Sequence, residues 1–258
     1  MTLVQSPPPA VRPLGPLALA VAAVRSVVAY VVISLYVLVV GPAGMLVVWL
    51  FHLTELLYLL GHAGVWTALA LVGIRSRIVG REHLPKGRAY VCCSNHESNV
   101  DPLVLFHGIN PRFRILFKAE MQKVPVLGRA MLLAGYIPVD RANPEQAIPA
   151  LDRGARSLGD GNSFLTFPEG TRSRTGSLLP FKKGGFIMAI KAQAPIVPVA
   201  VQGSRAAMAK GSAIIRPVMV SVRIGEPVET SGYTIEDRDQ VIAEVRRRIE
   251  AMLAEGPV

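Results

Sequence analysis

Apolar residues crowd the first 75 positions of the chain, then give way to short apolar runs separated by polar loops. Between Arg25 and Glu55 lie 29 consecutive uncharged positions, Ser26 to Thr54, rich in Val, Leu, Tyr and Trp. As one helix that stretch measures about 43 Å, more than the roughly 30 Å hydrocarbon core of a bilayer. Gly41-Pro42 interrupts it. The pattern therefore predicts either one kinked, tilted span or a turn at Gly41-Pro42 between two helices, over residues 14–40 and 45–74. Spanning the bilayer and lying within one leaflet both satisfy it, with Trp49, Trp66, Tyr30 and Tyr58 as interfacial anchors and Arg25 snorkelling to an interface.

Arg12 followed by an apolar run containing Ala20-Val21-Ala22 also fits a cleaved signal peptide, but the apolar character continues for about another 30 residues, which predicts a retained anchor. Arg75, Arg77 and Arg81 follow it directly and, by the positive-inside tendency, place the rest of the chain on the cytoplasmic side of the inner membrane. The chain thus divides into a membrane-associated helical segment, 1–75, and a second domain, 76–258.

In that domain β-rich runs at 90–94, 113–117, 135–139, 163–167, 196–201 and 218–224 alternate with helical patterns at 144–158, 183–192 and 235–254. Such alternation predicts an α/β fold: a mixed, largely parallel sheet flanked by helices, with apolar membrane helices in front. The Pro-rich start, Pro7 to Pro9, reads as a flexible tail.

Charge narrows the partners. Lys and Arg number 28 against 18 Asp and Glu, a formal net charge of +10 on a chain that is 51% hydrophobic. A basic excess on an apolar chain points to an anionic partner, a lipid surface or a phosphorylated substrate. Nucleic acid is disfavoured: there is no long basic run, and only 6% of residues are aromatic. Cys92 and Cys93, adjacent in an apolar run, read as small buried strand residues rather than a disulfide framework or metal site. No ligand cluster for a metal is apparent.

Two polar loops carry the candidate chemistry. In Asn95-His96-Glu97-Ser98-Asn99-Val100-Asp101-Pro102, Asp101 is placed to cap a helix that Pro102 begins. The same loop can bring Asp101 against His96 and fix the imidazole tautomer, leaving His96 to accept a proton as general base. In Phe167-Pro168-Glu169-Gly170-Thr171-Arg172-Ser173, Gly170 permits close backbone approach, Thr171 and Ser173 offer hydroxyls, and Arg172 offers a fork suited to phosphate. Lys182 and Lys183 add charge downstream. Other enzyme classes lack their signatures: no Gly-x-Ser-x-Gly elbow, no P-loop, and Val100 where a metalloprotease needs its second histidine.

Asn95-His96-x4-Asp101 followed by Phe167 to Ser173 resembles the glycerolipid acyltransferase family, and two further blocks match in order: Gly135 to Arg141 and Ile196 to Val201. The likeness covers residues 77–225 and departs from the family at Pro138, where an aromatic residue is common. It implies transfer of an acyl group from a coenzyme A or acyl carrier protein thioester, a co-substrate, to the sn-2 hydroxyl of 1-acylglycerol-3-phosphate (lysophosphatidic acid), giving phosphatidic acid without a cofactor. On that resemblance His96 is the base and Asp101 its orienting partner. Glu169, Gly170 and Thr171 help hold the acceptor, and Arg172, Arg141 and Lys118 bind its phosphate. The bilayer, lysophosphatidic acid and the acyl donor are the implied partners. Alternatives are a different lysolipid acceptor (a lyso-ornithine lipid or lysophospholipid), a thioesterase, or a noncatalytic protein binding lipid phosphate.

Overall fold

The computed structural model describes residues 15–140, 144–208 and 211–258. Its first element, α1 (Pro16–Phe51), continues unbroken through Gly41-Pro42, so of the two expectations it is the single helix, not the turn, that forms there. Pro42 lacks the N–H that would bond back one turn, but an otherwise continuous apolar helix tolerates that gap. The turn falls instead at His52, in the left-handed region at φ 57°, where Phe51 gives way to the polar His52, Thr54 and Glu55. The second helix, α2 (Glu55–Val72), packs back along the first and ends at Gly73. Arg25 closes that end: its Nε donates to Leu71 O at 3.0 Å, a cation against the exposed carbonyls of a helix C-terminus.

Strand β1 (Arg75–Val79) follows at once. The sequence pattern missed it because Arg75, Ser76 and Arg77 make a polar edge strand. Then come β2 (Val91–Ser94), α3 (Asp101–Gly108), β3 (Arg114–Lys118), the short unpredicted α4 (Leu127–Leu133), and β4 (Ile137–Val139). The chain continues through α5 (Pro144–Gly159), β5 (Phe164–Thr166), α6 (Gly184–Lys191), β6 (Ile196–Gln202), α7 (Ser204–Ala207), β7 (Met219–Ile224) and α8 (Arg238–Ala254).

The seven strands form one sheet in the order β1-β7-β6-β2-β5-β3-β4, parallel throughout except for the antiparallel β6–β7 pair. Alternate residues of each strand face opposite cores. Cys93, Val91 and Phe164 meet Met188, Val245 and Ile249 from α6 and α8 on one side. On the other, Cys92, Leu165, Val197 and Val199 meet Val104 and Leu105 of α3 together with Ala29, Leu69 and Val72 of the apolar helices. The two cysteines are therefore free, buried and pointed to opposite faces, as strand neighbours must be.

The α1–α2 hairpin lies along the sheet rather than projecting from it. Near the start of α1, Ser26 Oγ accepts from Ile215 N at 2.8 Å and Tyr30 donates to Ala213 O at 2.8 Å. Farther along α1, Gly41 faces Val126, with only 2.5 Å between Val126 Cγ1 and where a Cβ on Gly41 would stand. Near the start of α2, Tyr58 donates to Ala134 O at 2.6 Å and Glu55 pairs with Arg112 at 2.7 Å. Both helices are long and apolar enough to cross a membrane.

Candidate active site

Five parallel strands, β2 to β6, present their carboxyl ends along one edge of the sheet, where open α/β sheets bind ligands. The loop leaving β2 is fixed first by Asn95, buried beside β6: its Nδ2 donates to Val201 O at 2.8 Å and its Oδ1 accepts from Val201 N at 2.7 Å. The next residue, His96, is thereby aimed at the edge. Its Nδ1 lies 2.8 Å from Asp101 Oδ2. That carboxylate oxygen also accepts the backbone N–H groups of Glu97 at 2.7 Å and Ser98 at 2.8 Å.

Asp101 thus stands at the first residue of α3 but makes no side-chain cap to its own helix, a correction to the expected N-cap. Its carboxylate reaches backwards and gathers the whole His96 loop around one oxygen. The side chain is fully buried, whereas that of His96 keeps 16% of its surface exposed. With Nδ1–H donated to Asp101, Nε2 carries the lone pair. The imidazole stacks on Phe167, ring centroids 4.2 Å apart, which limits its swing.

The second loop, leaving β5, is laced to the first. Glu169 is buried and both its oxygens are engaged, one accepting His96 N–H at 2.8 Å and the other Leu179 N–H at 3.0 Å. It stands behind the site and braces both loops. Burial pushes its pKa upward, against the two backbone donors that lower it. Ser173 N–H donates to His96 O at 2.8 Å, so Arg172, half-buried and without an acidic partner among the described residues, is tethered one residue from the histidine. Gly170 adopts φ 66°, and a Cβ there would come within 2.8 Å of the Lys182 side chain. Thr171 lies exposed on the same loop. Lys118 ends β3, exposed and paired with Glu120 at 3.1 Å, two strands from β2 and so roughly 10 Å across the edge. The Arg141 expectation falls outside the described residues.

Three contributors escaped the sequence reading. Asn95 was seen only as part of a motif. Glu97, buried against the dyad, accepts a bond from the backbone of Arg205, and its carboxyl is pushed up to about 7 by burial first and then by the Asp101 charge. Arg205 in turn donates to Arg174 O and Thr175 O, tying α7 to the loop beyond β5. Among the described residues no group of three metal-ligating side chains occurs.

Residues 75–202 match the family model described as Acyltransferase, which sets the class of protein. A 1-acyl-sn-glycerol-3-phosphate acyltransferase from Limnanthes douglasii is 35% identical over 200 residues, 77% of this chain and 70% of the relative. The alpha form of the enzyme of that name from Homo sapiens is 34% identical over 72% of this chain and 66% of its own. The crystal structure of the 1-acyl-sn-glycerophosphate acyltransferase PlsC from Thermotoga maritima superimposes with a TM-score of 0.76 at 25% identity, covering 90% of this chain and 95% of that one. The chain belongs to the acyltransferase family.

Proposed function

We propose that the chain transfers an acyl group from a coenzyme A or acyl carrier protein thioester to the sn-2 hydroxyl of 1-acylglycerol-3-phosphate, working at a membrane surface. The observation that carries the reading is the 2.8 Å pair between a partly exposed His96 and a fully buried Asp101 at the carboxyl edge of the sheet. Nε2 takes the proton of the acceptor hydroxyl as its oxygen attacks the thioester carbonyl. Asp101 holds the tautomer and stabilises the imidazolium that forms, and the tetrahedral adduct expels the thiolate, which recovers the proton. The thioester is already activated, so no acyl-enzyme is needed.

Arg172 on its tethered loop and Lys118 across the edge are the cations offered to the acceptor phosphate, with Arg141 completing the set. Gly170 and Thr171 supply the close backbone and hydroxyl around it, while Glu169 sets the distance between the two loops.

The hairpin supplies the membrane contact. A helix crossing the bilayer squarely would carry its far turn about 30 Å from the domain, yet both ends of this hairpin touch it. Its outer face, with Leu38, Val39, Trp49 and Phe51 more than half exposed, suits burial in one leaflet. Arg75, Arg77 and Arg81 beside it support a cytoplasmic location for the α/β domain.

The test is acyl transfer by the purified protein in lipid vesicles, from acyl-coenzyme A and from acyl carrier protein to lysophosphatidic acid, with His96→Ala alongside. Phosphatidic acid formed by the parent and not by the variant is the expected result. Free fatty acid as the sole product overturns the transfer reading in favour of a thioesterase.

A further inference from the structure

A cavity of about 560 Å³ opens between the hairpin turn and α4, lined by Met45, Leu46, Val48, Trp49, His52, Thr54, Arg129 and Leu133. None of these residues belongs to the site around His96. The walls follow from helical spacing: Met45, Val48, Trp49 and His52 share one face of α1 and its turn, and Arg129 and Leu133 are one turn apart on α4. It is an open groove rather than an enclosed pocket, since Leu46, Trp49, His52, Thr54, Arg129 and Leu133 are all exposed along it.

Charge identifies the occupant. Arg129 is the sole permanently charged residue of the lining, no carboxylate lines the cavity, and Arg129 has no ion pair or hydrogen bond among the described residues. Glu55, the acid next in sequence to the lining residue Thr54, is held by Arg112 at 2.7 Å. The side chains of His52 and Thr54 likewise make no hydrogen bond among the described residues. Meanwhile Trp49, Leu46 and Leu133 are 73%, 55% and 45% exposed, so the cavity runs without a polar rim into the apolar surface of the hairpin. A soluble anion would pair with the exposed Arg129 and leave that wall wet; an apolar ligand would cover the wall and make no use of the guanidinium.

We infer that this cavity holds an acidic phospholipid, one acyl chain between α1 and α4 and its phosphate on Arg129, aided by His52 and Thr54. Basic pockets between membrane-embedded helices bind anionic head groups in this way, with the guanidinium fork matched to phosphate. The site lies apart from the proposed acyl transfer and does not depend on it. It does require the hairpin to enter lipid, which the experiment reads separately.

Trp49 lines the cavity and Trp66 does not, and they are the two tryptophans of the chain. In Trp66→Phe protein, fluorescence of Trp49 is measured in phosphatidylcholine vesicles carrying a small fraction of brominated-chain lipid, either phosphatidic acid or phosphatidylcholine. Quenching by either shows that the hairpin is inserted. The expected result is several-fold stronger quenching by the phosphatidic acid, abolished by Arg129→Gln. In Trp49→Phe protein, the remaining Trp66 shows no such preference. Equal quenching of Trp49 by both head groups, or a preference that survives Arg129→Gln or appears equally at Trp66, overturns the site.

Discussion

Asn95 and Val201, 106 residues apart in sequence, are joined by two hydrogen bonds of 2.8 and 2.7 Å, so that an amide side chain stands where another strand's backbone would. This pairing fixes where the chain leaves β2 and therefore where His96 begins. Replacing Asn95 with Ala strands the N–H and C=O of a fully buried residue, at about 1–3 kcal/mol for a buried group left unpaired. The expected outcome is a lowered melting temperature in detergent together with loss of acyl transfer; an unchanged melt contradicts it.

Asp101 Oδ2 collects three N–H donors, and the test of its role is Asp101→Asn. An amide oxygen there can still accept from all three donors, but it carries no charge to stabilise the imidazolium, and the amide nitrogen is left at the Oδ1 position without a partner. Acyl transfer is expected to fall by about 10² to 10⁴, comparable to His96→Ala, with vesicle binding retained in both.

Glu97 makes stability depend on pH in an unusual sense. Its folded carboxyl titrates near 7 against an ordinary 4.5, so between those values the folded chain keeps a proton that the unfolded chain has released. Stability therefore falls as pH rises from 4.5 to 7, by up to about 3 kcal/mol. Glu97→Gln should flatten that slope and be the more stable protein at pH 8. Parallel melting curves for the two proteins across this range would refute the assignment.

His107 works in the opposite direction. It shares a 3.0 Å contact with His62, joining α3 to α2, and burial, His62 and Arg81 together lower its pKa from 6.5. The unfolded state then binds the proton more readily, and stability is lost as pH falls below 6.5. His107→Gln should remove this acid-side loss while preserving activity at pH 8, as measured by melts from pH 5 to 7.

The dyad was legible in the sequence because its partners are five residues apart and a polar loop between an apolar strand and a Pro-started helix leaves few places for them. The central strands were legible for a similar reason, since parallel strands buried on both faces read as continuous apolar runs. The edge strand β1, with Arg75-Ser76-Arg77, carries no such run. Gly41-Pro42 left a continuous helix and a turn both open because it is a strong local signal, whereas Gly41 serves packing within one helix: its missing Cβ makes room for Val126, itself held at φ 63°. What Asn95 and Glu169 do depends on contacts more than 70 residues distant, which no local pattern carries.

Ala29, Leu69 and Val72 share one core with Val197, Val199 and Leu165. The hairpin is thus a layer of the enzyme, and the sheet has no finished surface on that side until the hairpin lies on it. Folding of the sheet and docking of the hairpin become a single coupled event, and a chain trimmed to begin at residue 76 would be left with an open wound of apolar strand and helix, adhesive to dyes, detergent and its own copies.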